Sequence, residues 1–513
     1  MVRSLDFLAG WVAITLIATP ASVRADTLAE SIADAYRNNP TLKAQRAELR
    51  VIDETYIQAG SPYRLQMSIS ASAEASEVRG RDVSGIRRTI SDDLSTVGLN
   101  ASQILFNGGR TAAQLSVADA DVLSARERLR EVENNILLAV IDAYSSVRRD
   151  TEIVAIRERS LAAFNRQVDQ ARARRAGGDL TRTDVAQAEA QAAIASVSLS
   201  QAQADLQLSR ARFATLVGRN PGQLDIEPPL PGLPTSIDEG YRIAGEESPR
   251  FRQSVYDERA GRARIAAARA ESNPVVELSG TAGYSGPAEF NTSEYRRNLV
   301  GRVTFSMPLL TGNLLESRRR QAIADRDRLE NLVEASRRTV DLNVLQSWNQ
   351  VVAATRQIES GEAAVRAAEV SSLGSSREFR EGLRSTFEML NEEQRLLDAQ
   401  LVVAQARYTR YVGQAGLLAT LGRLDAARLD AGIPRYDPVS AADQRRGRIF
   451  GPFDPLLVPF DRLQQPRDAT KPLPVLAYAP MPEITEPTTS IPPDAPLAQS
   501  VPEGRPICED RPC

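Results

Sequence analysis

The residue types on which most enzymes and metalloproteins rely are scarce in this chain of 513 residues. It has no histidine, and its two cysteines, Cys508 and Cys513, lie in the last six residues. This composition excludes a histidine general base, a histidine-ligated metal and a cysteine zinc or iron–sulfur site. The cysteines either form a small C-terminal disulfide in an oxidising compartment or have no role. No nucleophile–base pair is apparent, so we expect no enzyme, no cofactor and no metal.

The charge balance gives no reason to expect a nucleic-acid partner. The chain carries 63 basic and 66 acidic residues, for a net charge of −3, whereas nucleic-acid-binding domains are usually basic. Aromatic residues make up only 5%, which is thin for several globular cores. Alanine and arginine are abundant instead, and both are strong helix formers. The composition therefore favours a mainly helical protein.

The N-terminal 25 residues have the pattern of a secretory signal peptide. Arg3 precedes an apolar run over residues 7–19, Pro20 interrupts it, and Val23-Arg24-Ala25 fits a small-residue cleavage site. An N-terminal membrane anchor is the alternative, although the run is short for a spanning helix. No cysteine follows the signal to accept a lipid, and no later apolar stretch approaches 18 residues. We expect an exported chain that begins at residue 26.

Proline positions divide the rest of the chain. Residues 63–220 and 309–433 contain no proline, whereas residues 434–513 contain 17. Because proline interrupts helix interiors, the two proline-free windows are where very long helices can form. The segment 434–513 lacks periodicity and is predicted to be an extended or disordered tail.

The proline-free windows belong to two copies of one sequence plan. Two helix-capping motifs, Thr27–Glu30 and Ser236–Glu239, are offset by 209 residues. Further along, glycines are offset by 204, namely Gly108 and Gly312, Gly178 and Gly382, and Gly218 and Gly422. We therefore predict an internal duplication, with repeat one at 26–220 and repeat two at 235–433.

Each repeat is predicted to contain a long coiled-coil hairpin. Apolar residues recur every seven positions, and in both repeats the phase shifts by four at equivalent places. These residues are Leu115, Val122, Leu129 and Ile136, then Val140, Val147, Val154, Leu161 and Val168; and Val333 and Val340, then Val344, Val351, Ile358 and Val365. A helix over residues 110–174 would extend roughly 100 Å at about 1.5 Å per residue, so it needs partners along its length. Turns at Gly178 and Gly382 end the long helices, and Thr181 and Ser385 can cap the returning ones.

Four segments alternate between apolar and polar residues, as strands do. They are residues 65–73, 97–101, 276–284 and 299–307. A membrane-crossing strand has about ten residues and the same alternation, although soluble hairpins would show it too. Four strands cannot close a barrel, and an open sheet edge is not tolerated in lipid. If the segments cross a membrane, several chains must therefore pool their strands.

The motifs of the two repeats, taken in order, resemble a known family. They are Asn39-Pro40-Thr41-Leu42, Phe106-Asn107-Gly108-Gly109, Gly178 to Asp184, Ser306-Met307-Pro308-Leu309 and Leu421-Gly422. In this order and spacing, residues 26 to about 433 resemble the TolC-like outer-membrane channel family. The resemblance implies a homotrimer whose strands form one membrane β-barrel and whose helices form a periplasmic tunnel. The predicted fold class is thus mainly α with a membrane β-barrel, built from a duplicated half-unit.

The resemblance also implies a gate at the hairpin tips. In the family, an Asp on one hairpin faces a Tyr and an Arg on the other, and the matching residues here are Asp184, Phe379 and Arg384. Phe379 lacks the hydroxyl, while Asp184 and Arg384 can still form a charge-assisted link. Acidic entrance rings match Glu388 and Asn391, of which only Glu388 is charged. The alternative is that all of these are solvated polar residues beside a turn.

The predicted function is a passive exit duct in the Gram-negative outer membrane. The partners that the resemblance implies are a periplasmic adaptor (membrane fusion) protein, an inner-membrane ABC or other transporter, and outer-membrane lipid. Type I protein secretion is preferred, because the segment from Tyr436-Asp437-Pro438 to Gly451 is similar to a tail in type I members. Small-molecule efflux is the alternative cargo. A secreted coiled-coil scaffold or adaptor would explain the hairpins but not the four alternating segments.

Overall fold

The structure is a computed structural model, and it describes residues 26–81, 83–287, 292–429 and 436–437. These residues all lie in a unit that spans Met1–Ala469, and a second unit, Thr470–Cys513, contains none of them. The predicted signal peptide, the two cysteines and the tail apart from Tyr436 and Asp437 lie outside the described residues.

The two repeats have the same order of elements, which confirms the predicted duplication. Helices α3 and α7 both have 67 residues, and helices α4 and α8 both have 36. The first repeat contains α1 (Leu28–Asn38), α2 (Pro40–Ala59), β1 (Gln66–Arg81), β2 (Arg87–Phe106), α3 (Arg110–Ala176) and α4 (Arg182–Val217). The second contains α5 (Ile237–Glu247), α6 (Pro249–Ala270), β3 (Val275–Pro287), β4 (Arg296–Ser306), α7 (Leu314–Arg380), α8 (Thr386–Leu421) and the short α9 (Ala426–Leu429).

Helix caps follow the sequence signals, with one exception. Thr27 and Glu30 form the predicted reciprocal capping box at the start of α1. At the equivalent position in repeat two, the Ser236 hydroxyl accepts from the Glu239 amide, but the Glu239 carboxylate accepts from Thr235 instead of the Ser236 backbone. The second box is therefore only half formed, because an additional hydroxyl next to Ser236 competes for the carboxylate.

The heptad positions form the helix contacts that the sequence predicted. On α3, Val122, Val140 and Val147 are at most 3% exposed, on both sides of the phase shift. On α7, Val340 and Val344 are buried on either side of the equivalent shift. The helices pair as two hairpins, which we call hairpin 1 (α3 and α4) and hairpin 2 (α7 and α8). None of the described helices combines the length and the apolar character that a membrane-spanning helix needs.

The four strands form one antiparallel sheet in the order β1-β2-β3-β4, so β1 and β4 lie at its edges. One face carries an apolar row across all four strands, because Ile69 pairs with Leu99, Leu99 with Ala282, and Ala282 with Leu299. On this face Ile69 is 80% and Leu299 70% exposed. Large apolar side chains on a soluble sheet would be buried, so this face lacks the environment it needs within one chain.

The opposite face of the sheet is polar. Ser72 and Thr96 share a hydrogen bond of 2.8 Å between their hydroxyls, and Thr281 donates to Asn100 at 3.1 Å. The sheet also differs from the sequence prediction of strands of about ten residues, since β1 has 16 and β2 has 20. The predicted segment ends at residue 73, and alternation is broken at Glu77, a charged residue on the same face as Ile69, yet the ladder continues to the pair Arg81–Arg87. Backbone hydrogen bonds between β1 and β2 extend this hairpin, and the apolar–polar alternation of side chains does not predict them.

The start of the predicted tail packs against repeat one. The Arg46 guanidinium lies 4.3 Å from the centre of the Tyr36 ring and 5.0 Å from that of Tyr436. The Tyr36 hydroxyl donates to Glu133 at 3.2 Å and accepts from the Tyr436 amide at 3.2 Å. Each cation–π contact is worth about 0.5–1 kcal/mol. These contacts attach residue 436 to α1, α2 and α3.

Truncation on either side of this contact should have different effects. A chain ending at residue 437 keeps Tyr436 over Arg46, whereas a chain ending at residue 433 loses it. We expect the shorter chain to unfold at a lower temperature in detergent, and Arg46→Ala in the full chain to reproduce part of the loss. Differential scanning calorimetry measures both. Equal midpoints for the two truncated chains would mean that Tyr436 adds no stability.

Candidate functional site

The tips of the two hairpins place the residues that the sequence analysis singled out. In hairpin 1, α3 ends at Ala176 and α4 begins at Arg182; in hairpin 2, α7 ends at Arg380 and α8 begins at Thr386. Gly178 and Gly382 adopt φ values of +91° and +76°, which favour glycine, so each chain reversal has the residue it needs. The two tips are thus equivalent in backbone and differ in side chains.

Asp184 and Glu388 occupy equivalent positions and make equivalent contacts. The Asp184 carboxylate accepts from the Thr181 amide at 2.9 Å and from its hydroxyl at 2.7 Å. The Glu388 carboxylate accepts from the Ser385 amide and hydroxyl, both at 3.0 Å. Both acids are therefore the third residue of a capping box that begins the returning helix. This structural role accompanies any role in a gate.

The same hydrogen bonds shift the titration of both acids. The pKa of Asp184 lies below its usual 3.8, chiefly because the Thr181 hydroxyl and then the Thr181 amide favour the carboxylate, with a smaller effect from Thr386. The pKa of Glu388 lies below its usual 4.5, because of the Ser385 amide and then the hydroxyl. A pKa lowered by folding adds stability at pH values above the unfolded value, and this stability disappears as pH falls through the folded value.

We therefore expect the tips to fray in acid and not at neutral pH. Between pH 8 and pH 5 both capping carboxylates stay charged. Amide protection at the first turns of α4 and α8 should therefore stay constant, and the exchange rate there should change only as the intrinsic rate changes with pH. As pH falls below about 4, protection should decrease there before it decreases at mid-helix. In the double variant Asp184→Asn and Glu388→Gln this extra decrease should be absent. Tips that keep full protection at pH 3 would contradict the expectation.

Within one chain the structure does not bring Asp184 and Arg384 together. The Arg384 guanidinium pairs with Glu378 of its own hairpin, with Nε 2.6 Å from Oε2. Asn391 is half-buried on α8, one turn beyond Glu388. A link between Asp184 and Arg384 would thus have to join different protomers or a different state of the tip.

Phe379 is buried and belongs to an apolar cluster that joins the hairpins. It is 1% exposed, and its cluster includes Phe164 and Val168 of α3 and Met389 of α8. The ring therefore packs between the two hairpins and, unlike a tyrosine at this position, has no hydroxyl to form a hydrogen bond. Burying a phenylalanine side chain is worth about 1.5–3 kcal/mol.

A residue that the sequence analysis missed, Arg174, makes a polar contact between the two tips. Its Nη1 donates to the backbone carbonyl of Phe379 at 2.6 Å, and its guanidinium lies 4.9 Å from the centre of the Phe379 ring. Its Nε also lies 4.0 Å from Asp179 in the turn of hairpin 1. The carbonyl is in the last turn of α7, where the helix dipole favours a cation. The sequence signal for Arg174 is a cation in the last turn of α3, and the adjacent Arg175 has the same signal.

Among the described residues, no group of three or more acidic, histidine or cysteine side chains could hold a metal ion. At the tips, hydrogen bonds and apolar contacts join hairpin 1 to hairpin 2.

Three curated relatives match this chain over 61–85% of its length. It is 29% identical over 436 residues to the outer membrane efflux protein BepC of Brucella suis biovar 1 (strain 1330), covering 85% of this chain and 94% of BepC. It is 22% identical to the outer membrane protein TolC of Escherichia coli (strain K12), covering 78% and 83%. It is 23% identical to the alkaline protease secretion protein AprF of Pseudomonas aeruginosa, covering 61% and 66%.

Solved structures show the same fold. The outer membrane protein VceC of Vibrio cholerae superposes with a TM-score of 0.67 at 22% identity, covering 77% of this chain and 96% of VceC. The profile of the outer membrane efflux protein family matches residues 31–219 and again residues 240–423. The resemblance inferred from the motifs is thereby confirmed, and the chain belongs to the outer membrane efflux protein family.

Proposed function

We propose that three copies of this chain form a passive exit duct in the outer membrane. The observation that carries the proposal is the open sheet, whose edge strands β1 and β4 have no partner within the described chain and whose exposed face is apolar. An open edge is costly in lipid, so strands from several copies must join edge to edge. Three copies supply twelve strands, with the polar face lining the lumen.

The hairpins then form the periplasmic part of the duct. Each long helix of 67 residues extends about 100 Å at about 1.5 Å per residue, which is far beyond a bilayer. Two neighbouring grooves of about 310 and 390 Å³ lie between α3 and hairpin 2 near the tips. Their lining mixes polar residues such as Arg166 and Glu393 with Leu396, which suits the helices of a periplasmic adaptor. The adaptor would connect the duct to an energised inner-membrane transporter, and the duct itself performs no catalysis.

The tips are the proposed gate. Opening requires hairpin 2 to move away from hairpin 1, which separates Phe379 from its cluster. In a trimer, Arg384 can also reach Asp184 of a neighbouring protomer, and three Glu388 carboxylates can line the entrance and favour cations. Asn391 would form a neutral second ring.

The gate proposal predicts a measurable change in conductance. The double variant Asp184→Ala and Arg384→Ala should conduct more than the native channel in planar bilayers. It loses the proposed contact between Asp184 and Arg384 of neighbouring protomers, the ion pair of Arg384 with Glu378, and the cap of α4. Asp184→Asn with Arg384 intact keeps the cap acceptor and serves as the control. Unchanged conductance of the double variant would remove Asp184 and Arg384 from the gate.

For cargo we prefer secreted protein to small molecules. One relative is by name a protease secretion protein, and the segment from Tyr436 to Gly451 is similar to that of type I members. Another relative is by name an efflux protein, which keeps drug efflux as the second candidate. A deletion strain separates them, because loss of a secreted protein from the medium supports secretion, whereas greater drug sensitivity alone supports efflux.

The first experiment is to locate and count the chains. Outer membranes are isolated, the protein is extracted in mild detergent, and its mass is measured by light scattering with correction for detergent. A trimer in this fraction supports the duct. A soluble monomer or dimer in the periplasm would favour a coiled-coil scaffold or adaptor instead.

A further inference from the structure

The duplication relates two kinds of contact between hairpins. Inside one chain, α3 packs beside α8, as the 2.5 Å hydrogen bond from Tyr408 to Asp142 and the contact of Asn134 with Ala419 show. We call this the inner junction. Because α3 is equivalent to α7 and α4 to α8, closing a ring of alternating hairpins places α7 beside α4 of the next chain. We call this the protomer junction, and it rests on the trimer proposed above.

The contacts of the inner junction can be transferred to the protomer junction by the 204-residue offset. At the inner junction Arg174 reaches Phe379. The residue equivalent to Arg174 is Glu378, and the residue equivalent to Phe379 is Arg175. The protomer junction therefore places Glu378 opposite Arg175 of the neighbouring protomer.

A second contact transfers in the same way. At the inner junction the first turns of α4 and α8 pack together, because Val185 and Met389 belong to the same buried cluster, and Thr386 in this region also lowers the pKa of Asp184. The equivalents are Glu388 for Asp184 and Arg182 for Thr386. The protomer junction thus places Glu388 opposite Arg182 of the neighbouring protomer.

Both transferred contacts join opposite charges, although the contacts from which they derive do not. Arg175 and Arg182 are exposed at the tip of hairpin 1, and neither makes an ion pair within the part of the chain that is described. On the other side, the ion pair of Glu378 and the cap of Glu388 each use oxygen Oε2, which leaves Oε1 to accept another donor. Two arginines without ion pairs therefore meet two acids with spare acceptors.

We infer that the protomer junction at the tunnel entrance is held by the ion pairs Glu378–Arg175 and Glu388–Arg182 between neighbouring chains, while the inner junction is held by Arg174 and the buried Phe379. The inner junction and the protomer junction at the entrance are then held by different kinds of contact. Opening the protomer junction separates charges and depends on salt, whereas opening the inner junction exposes an apolar ring. The charge of the proposed Glu388 ring is partly neutralised by Arg182.

Crosslinking tests the geometry. In a background with Cys508→Ser and Cys513→Ser, the pair Arg175→Cys and Glu378→Cys is treated with a short bismaleimide in outer membranes. Bonds between chains give dimers and trimers on a denaturing gel, and we expect this ladder. The matched control is Arg212→Cys with Glu378→Cys, since Arg212 lies on α4 about 45 Å from Arg182, at about 1.5 Å per residue.

The possible results separate this inference from the proposed function. A trimer by light scattering without a crosslinked ladder overturns the protomer junction and leaves the duct intact. Absence of a trimer overturns the duct itself.

A charge test with a rescue complements the crosslinking. Arg182→Glu puts a carboxylate against Glu388, so we expect several-fold higher conductance that is most pronounced at low salt. Adding Glu388→Gln removes the repulsion but keeps a residue that can cap α8, and conductance should return toward the native value. Arg212→Glu on the same helix should have no effect. If the double variant conducts as much as Arg182→Glu alone, Glu388 is not the partner of Arg182.

Discussion

Arg174→Ala should increase the conductance of the closed channel more than any other single change at the tips. The substitution removes a charge-assisted hydrogen bond to the Phe379 carbonyl, worth about 1.5–3 kcal/mol, and a cation–π contact of about 0.5–1 kcal/mol. The Arg174 side chain is 25% exposed, so solvent screens these contacts only in part. Since about 1.4 kcal/mol changes an equilibrium tenfold, the open population should rise by at least tenfold.

Single-channel recording in planar bilayers measures this change. Arg172→Ala is the matched control, because Arg172 lies on the same helix but binds Glu189 within hairpin 1, at 3.0 and 2.7 Å. Arg174→Lys keeps the charge but loses the planar group, and it should give an intermediate value. If Arg172→Ala and Arg174→Ala conduct alike, the contact with Phe379 does not hold the hairpins together.

Gly422→Ala should destabilise the protein much more than Gly218→Ala, although the two glycines are equivalent in the repeats. Both follow a 36-residue helix and adopt positive φ, +74° and +91°, where alanine costs about 1–2 kcal/mol. At Gly422 a Cβ would lie 2.5 Å from the Glu247 carbonyl oxygen and 2.7 Å from Pro249. At Gly218 nothing lies within 4 Å.

The expected difference is about 1–3 kcal/mol, the usual cost of forcing an extra methyl into a packed site. The clash would also move α5 away from Arg423, which pairs with Glu247 at 2.7 and 3.1 Å. Thermal unfolding of the detergent-extracted protein compares the variants, and the yield of trimer in outer membranes is a second readout. If both variants lose the same amount of thermal stability, the corner between α5 and α6 moves to accommodate the Cβ of Gly422→Ala without an energetic penalty.

Elements whose signals are local were predictable from the residues alone. The long helices, their caps at Thr181 and Ser385 and the turns at Gly178 and Gly382 depend on neighbours within about one turn. Heptads and apolar–polar alternation are periodic along the chain. Because both patterns recur in the second repeat at a nearly fixed offset, the duplication could be detected in the sequence. The sequence accordingly determined the helices, the strands, their order and the family.

Contacts between distant residues were decided only by the tertiary structure. Arg174 and Phe379 are 205 positions apart, and nothing in the run of arginines near the tip distinguishes Arg174 from its neighbours. Arg384 was expected to face Asp184, yet within the chain its guanidinium forms an ion pair with Glu378. Gly218 and Gly422 carry the same local signal, but only Gly422 faces another helix corner.

The physical reason is the range of the interactions. Backbone capping and side-chain periodicity act over a few residues, so one sequence specifies them directly. A long arginine side chain can reach several partners at similar energy, and the packing of helices that meet far along the chain decides which partner it finds. The sequence determined a duplicated hairpin-and-strand chain of a channel family, and the tertiary structure decided which side chains join its hairpins.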